Sequence, residues 1–309
     1  MTERQKPILI SIVGPTAVGK TALAISVAKK YSTEIISSDS RQFYKELEIG
    51  TAKPTKKDLK TVNHHLIDNL SIHDYYSVGR FEQQVIEILK NSYREKNVMV
   101  MVGGSGLYCQ AIWQGIDEMP AIDVSIREDL NRVYEKKGIA PLQRELKSLD
   151  PEYYDVVDQQ NHARLIRALE VIRSTGQTFS SFRKGSESVE RPFEMVNIGL
   201  EMDILKLYDR INSRMDRMIE RGLFDEANQF YDFRNLNALR TVGYQEIYGF
   251  IDGSYDKEEA IRLLKRNSRR YAKRQMTWFK KDATINWFSV GDPIHGFEKV
   301  LEFLEKKLG

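Results

Sequence analysis

Cysteine is nearly absent from this sequence: Cys109 is the single copy in 309 residues. A lone thiol excludes an internal disulfide framework and leaves no partner for a cysteine zinc site. No apolar run approaches the roughly 18 residues needed to cross a bilayer. The first seven residues are polar and charged, without the apolar segment of a secretory leader. The expectation is a cytoplasmic protein with no membrane partner, monomeric by default. Net charge is small as well, since 47 Lys and Arg oppose 44 Asp and Glu to leave +3. Internal repeats and low-complexity tracts are missing. Hydrophobic residues at 41% rule out disorder, and the length suits a large core with a smaller satellite.

One local absence is more informative. Between Ile261 and Lys281 stand nine basic residues (Arg262, Lys265, Arg266, Arg269, Arg270, Lys273, Arg274, Lys280 and Lys281) and no acidic one. Spacings of three and four put several on one helical face, with Tyr271, Trp278 and Phe279 nearby. Such a face is either a solvated helix surface or the footprint of an anionic partner, for which nucleic acid is the usual candidate.

What is present reads as α/β. Short apolar runs at Ile8–Val13, Glu34–Ser37 and Val98–Val102 alternate with helical patterns at Thr21–Tyr31 and, after the N-cap Ser77, Val78–Asn97. Continuous apolar strands between helices predict a parallel sheet covered on both faces. After Gly115 the texture turns helical: Val124–Lys137, Ala140–Ser148 and His162–Thr175, with Gly138 and Gly176 as stops. A polar stretch at Arg183–Arg191 closes that region, and Phe193–Leu200 resembles a strand returning to the sheet. Helices are expected at Asp203–Arg221 and Leu223–Phe233, then a long basic helix capped by Asp256 with Glu259. A last strand at Thr284–Val290 and a terminal helix to about Leu308 complete the chain. The fold class is therefore α/β: a P-loop NTPase-like parallel sheet flanked by helices, with a helical insertion. Residues 1–115 and 191–309 form the core and 116–190 the insertion.

The chemistry starts at Gly14-Pro15-Thr16-Ala17-Val18-Gly19-Lys20-Thr21, a glycine, four residues, then Gly-Lys-Thr, after a strand and before a helix. Such a loop turns successive N–H groups inward around an anion, and the helix N-terminus adds partial positive charge. Lys20 reaches terminal phosphates, and the Thr21 hydroxyl ligates Mg²⁺. The metal-holding carboxylate of an NTPase is missing, because Val98–Val102 ends in Gly103-Gly104-Ser105-Gly106. The acidic residue directly after an early strand is Asp39, at the carboxyl edge of the sheet where open α/β folds bind ligands. It is read either as a proton acceptor for a substrate or as a capping residue. His64 and His65 are adjacent, so on a strand they face opposite ways, which favours a structural role over a metal pair.

Several segments together resemble the bacterial tRNA dimethylallyltransferases (tRNA isopentenyltransferases). They are Gly14–Thr21, Ser38–Tyr44, Ile49–Pro54, His64–Asp68, Val102–Tyr108, Arg164–Glu170, Thr241–Gln245 and Lys273–Trp278, in the family's order and over nearly the whole chain. Ile49–Pro54 and Lys273–Trp278 are the most specific. Ser105 stands where members often have Thr. The resemblance implies transfer of a dimethylallyl group from dimethylallyl diphosphate to N6 of the adenosine 3′ of the anticodon in a tRNA anticodon stem-loop. Asp39 then acts as general base, and Thr16 and Arg214 join Lys20 and Mg²⁺ on the leaving pyrophosphate. Arg214 would otherwise pass for a surface helix residue. RNA contacts are implied at Asp39, Ser40, Arg41, Gln42, Ser105 and Arg127, and on the inserted helix at Ala163, Arg164, Leu165, Ile166 and Arg167. Further ones fall at Arg240, Thr241, Val242, Gly243, Tyr244 and Gln245, and at Lys273, Arg274, Gln275, Met276, Thr277, Trp278, Phe279 and Lys280. Tyr244 or Trp278 stacks on a base or packs in the core. Rival readings are an ATP-dependent small-molecule kinase, prenylation of free AMP, and a nucleotide-switched RNA binder, though no Asn-Lys-x-Asp guanine motif is present.

Overall fold

Strands β1 (Ile8–Val13), β2 (Ile35–Ser37), β3 (His64–His65), β4 (Val98–Val102), β5 (Glu194–Glu201) and β6 (Asn286–Ser289) form one sheet. Its order is β3-β2-β4-β1-β5-β6, and every neighbouring pair is parallel. The computed structural model describes residues 6–117, 119–120, 122–183, 189–291 and 297–308. Residues 1–5 of the polar start, and 184–188 of the polar stretch, lie outside the described residues.

The inner strands are apolar on both faces because both faces are covered. Ile10 and Ile12 of β1, with Val100 and Val102 of β4, enter one core cluster. Leu9, Val13, Met99 and Met101 alternate with them into the other. The order matches the expected α/β architecture, with β5 returning beside β1. Strand β3 escaped the sequence pattern, since a two-residue polar edge strand has no apolar signature.

The helices are α1 (Lys20–Lys30), α2 (Lys56–Thr61), α3 (Val78–Ser92), α4 (Gly106–Gln114), α5 (Val124–Lys137), α6 (Ala140–Leu149), α7 (Pro151–Val156), α8 (His162–Thr175) and α9 (Phe179–Phe182). After β5 come α10 (Ile204–Glu220), α11 (Leu223–Gln229), α12 (Tyr244–Ile251), α13 (Lys257–Phe279) and α14 (Glu298–Leu308). Helix α3 stops at Ser92, short of the expected Asn97. Turn bonds from Arg94 and Glu95 N–H to the Asn91 and Ser92 carbonyls reverse the chain into β4.

The chain divides into two compact units, residues 1–113 with 190–309, and residues 114–189. The second is helical throughout its described residues and packs Leu130, Leu142, Leu146, Leu165 and Leu169 into its own core. In the first, α10 buries Leu207, Ile211, Met215 and Met218. That stripe turns Arg210, Arg214 and Arg217, four and three residues apart, onto another face.

Candidate functional site

Strand β1 delivers the chain into the loop ahead of α1. Gly14 has φ +142°, and a Cβ there would stand 2.5 Å from the Leu200 carbonyl oxygen, so the close approach of β5 admits only glycine. The loop turns again through Ala17 at φ +66° and Gly19 at φ +112° before α1 begins at Lys20. The unpaired N–H groups of that first turn and the helix dipole favour an anion here. Lys20 Nζ donates to the carbonyls of Gly14 (2.9 Å) and Pro15 (2.7 Å). Val18 contributes backbone alone, because its side chain is fully buried in the core.

A cavity of about 640 Å³ opens beside the loop, lined by Thr16, Ala17, Gly19, Lys20 and Thr21. Asp39 lines it too, as do Arg210, Arg214 and Arg217 from α10 and Tyr271 and Gln275 from α13. Four cations (Lys20 and the three arginines) face two carboxylates, Asp39 and Asp209, so the lining carries an excess of positive charge. Desolvation brings the Lys20 ammonium down to about 8, with Asp39 opposing that fall and Arg214 adding to it. Burial likewise holds the Arg214 guanidinium below its usual value, with Asp39 pulling it up and Arg217 pushing it down. An excess of cations desolvated by burial is the electrostatic setting that an anion would relieve. The Tyr271 phenol is driven upward, first by burial and then by Asp39, so it stays protonated.

The segment after β2 fixes Asp39. Its Oδ1 accepts from the Arg41 N–H at 3.0 Å, and its own N–H donates to Ser37 Oγ at 3.3 Å. One carboxylate oxygen thus shapes the turn while the residue lines the cavity. Ser40 is tied to Ser105, whose Oγ accepts from the Ser40 N–H at 3.0 Å. Arg41 Nη1 donates to the Asn237 carbonyl at 2.6 Å, and Gln42 Nε2 donates to the Ala52 carbonyl at 3.3 Å. Cys109 is buried against Ser38 Oγ at 3.3 Å, and burial pushes its thiol up to about 12, which keeps it protonated.

Other residues expected at the RNA interface are sorted by burial. Ala163, Arg164, Arg240, Gln245, Lys273, Arg274, Thr277, Trp278 and Lys280 are exposed, while Thr241, Val242 and Met276 are half-buried. Six are buried. Leu165 and Ile166 lie in the core of the helical unit, and Phe279 is fully buried beside Trp113. Tyr244 has no exposed surface; its hydroxyl donates to Glu226 Oε1 at 2.7 Å and its ring packs against Gly50. With Gly243 it opens α12, whose Glu246 accepts from the Gly243 N–H at 2.8 Å. Gln275 is buried and bonded to the cradle. Sequence spacing alone does not separate these inward positions from their outward neighbours. Trp278 packs its indole over Gly106 while remaining 41% exposed.

Arg127 and Arg167 share Glu170, a carboxylate only 1% exposed, at 2.6 Å and 2.5 Å. The cation-only stretch is also less bare than it reads, because acids arrive from other elements: Lys265 pairs with Asp216 at 2.6 Å and Lys280 with Glu201 at 2.7 Å. Arg262 pairs with Glu259 on its own helix. His65 accepts its structural role beside Glu34 at 2.6 Å. Sequence reading missed Arg210, Arg217 and Tyr271 as cavity residues. It missed Glu226 too, whose carboxylate accepts from the Glu48, Ile49 and Gly50 N–H groups at 2.9, 2.7 and 2.8 Å and so shapes the Ile49–Pro54 block. The arginine spacing on α10 was the available signal.

Known proteins place this arrangement. Residues 42–282 match the IPP transferase family. The tRNA dimethylallyltransferase of Cytophaga hutchinsonii is 49% identical over 300 residues, spanning 97% of each chain. That of Christiangramia forsetii is 50% identical over 300 residues, 97% of this chain and 98% of the relative. The crystal structure of the full-length tRNA isopentenylpyrophosphate transferase of Bacillus halodurans superposes with a TM-score of 0.72 at 38% identity, over 98% of this chain and 97% of that one. With half its residues shared along nearly its whole length, the chain belongs to the IPP transferase family, among the tRNA dimethylallyltransferases.

Proposed function

We propose that the protein transfers the dimethylallyl group of dimethylallyl diphosphate to N6 of the adenosine 3′ of the anticodon in tRNA, releasing pyrophosphate. The observation that carries this reading is the convergence in one cavity of the Lys20 cradle, Arg214 and Asp39. N6 attacks the C1 carbon of the prenyl group as the C1–O bond to the diphosphate breaks. The N–H proton leaves to Asp39, a step worth roughly 10²–10⁴ in rate. Negative charge growing on the departing pyrophosphate meets Lys20, Arg214, the Thr16 hydroxyl and the amides of the α1 N-terminus.

The donor set fits Mg²⁺ with Thr21 as its protein ligand. No cluster of three His, Cys, Asp or Glu side chains able to hold a metal occurs among the described residues, and Mg²⁺ is commonly held by one or two protein oxygens together with phosphate oxygens and water. When bound it supplies further neutralisation of leaving-group charge.

On the RNA side, extruding a loop base from its stack costs a few kcal/mol, least in a single-stranded loop. Ser40, Arg41 and Gln42 beside Asp39, with Ser105, Arg240, Thr241 and Val242, flank the incoming nucleotide. Lys273, Arg274 and Lys280 meet phosphates, and the exposed part of Trp278 offers a stacking surface. The helical unit contributes Ala163 and Arg164, with Arg127 and Arg167 held ready by Glu170. The deciding assay supplies labelled dimethylallyl diphosphate, Mg²⁺ and unmodified tRNA, with AMP in parallel. Label in the tRNA supports the reading; label in AMP, or consumption of ATP in its place, overturns it.

A further inference from the structure

Helix α13 carries cations on one side and a buried amide on the other. Lys273, Arg274 and Thr277 are exposed, whereas Ala272, Gln275 and Phe279 are buried. Gln275 is 6% exposed and makes two hydrogen bonds of opposite sense. Its Oε1 accepts from the Thr16 N–H at 2.8 Å, and its Nε2 donates to the Gly104 carbonyl at 2.9 Å. The amide orientation is thus dictated by its partners, since an N–H requires an acceptor and a carbonyl a donor. Gly104 is matched to it: a Cβ there would stand 2.2 Å from Nε2. Thr16 lines the same cavity as Lys20.

We infer that Gln275 is a positioning residue that holds the cradle in its diphosphate-binding shape and ties it to the helix bearing the outward cations, an inference that rests on the diphosphate reading above. Bridging Thr16 to Gly104 leaves the loop one arrangement. Without the bridge, an N–H and a carbonyl lose their partners and the loop samples others. Apparent affinity for the anion then falls by the fraction of molecules still in the competent shape.

Two variants of the full chain test this, with thermal melting alongside to confirm folding. Gln275→Met keeps side-chain length and removes both bonds. Gln275→Glu keeps the shape but sets an oxygen against the Gly104 carbonyl and, when ionised, brings negative charge to the cavity wall. The probes are inorganic pyrophosphate and an anticodon stem-loop RNA, each measured alone. Gln275→Met is expected to raise the pyrophosphate Kd about tenfold while leaving the RNA Kd within about twofold. Gln275→Glu is expected to lose at least as much at pH 8 and to recover toward wild type, compared at equal pH, as acidification lets its carboxyl O–H donate to Gly104. Unchanged or tighter pyrophosphate binding by a folded Gln275→Met protein would overturn the inference, as would a loss confined to RNA. Wild-type protein that binds no pyrophosphate would overturn the diphosphate reading itself, and this inference with it.

Discussion

Lys20 is expected to make diphosphate affinity a function of pH over a range in which the ligand does not titrate. Its ammonium is held at about 8 rather than 10.5, chiefly by desolvation, with Arg214 adding to the fall. At 1.36 kcal/mol per pH unit, that interval corresponds to roughly 3 kcal/mol of bias against the charged form. The sign follows directly. Below pH 8 the free protein already carries the Lys20 charge; above it the lysine is neutral, and binding an anion must take up a proton. A bound diphosphate raises the lysine's pKa, so above pH 8 the Kd climbs by close to tenfold per pH unit until the pKa of the complex is reached. The terminal phosphate of dimethylallyl diphosphate has lost its last proton by about pH 7. Calorimetric titration from pH 7 to 9.5 at fixed ionic strength should show constant affinity to about pH 8, then a loss of about tenfold or more. Lys20→Arg should bind more weakly, yet with a flat profile, because a guanidinium stays charged throughout. A wild-type profile flat through pH 9.5 would show Lys20 to be as well hydrated as a surface lysine, and the desolvated-cradle argument would fail.

Asp39→Ala is expected to lower turnover by about 10²–10⁴, far more than it weakens tRNA binding; a lowered melting temperature with no selective loss of turnover would expose a purely structural role. Replacing Lys273 and Arg274 with Ala should reduce the slope of log K against log salt for tRNA binding by about one per lost phosphate contact. An unaltered slope would remove them from the interface. Glu226→Ala deletes the acceptor of three backbone N–H groups and the Tyr244 hydroxyl. It should destabilise the protein by about 3 kcal/mol in chemical denaturation, given that hydrogen bonds to charged groups contribute about 1.5–3 kcal/mol each and that the freed groups partly rehydrate. A loss under about 1 kcal/mol would mean that this carboxylate does not organise the Ile49–Pro54 block.

Elements with strong local signals were readable in advance. The apolar strands β1 and β4, the loop from Gly14 to Thr21 and the glycine stops after α5 and α8 each follow from interactions within a few residues. Short polar elements such as β3 were not, because hydrogen bonding to a neighbouring strand creates them. The blocks expected to contact RNA show the same boundary at finer grain. In Ala163–Arg167 and Lys273–Lys280, a contiguous motif hides a helical period, so Arg164 and Lys273 face outward while Leu165, Gln275 and Phe279 face inward. The unbroken run of cations on α13 also overstated its bare charge, since Asp216 and Glu201 reach it from α10 and β5.

Linear order settled the glycine-rich loop from Gly14 to Thr21, the α/β alternation and the acid after the second strand, because short-range sterics and periodicity act within a turn or a strand. Only the folded chain decided that Arg214 lines the cavity half-buried, that Tyr244 is core, and that an amide far along the chain braces the cradle. Those outcomes depend on which distant surfaces exclude water together, and burial of that kind has no signature at any single position.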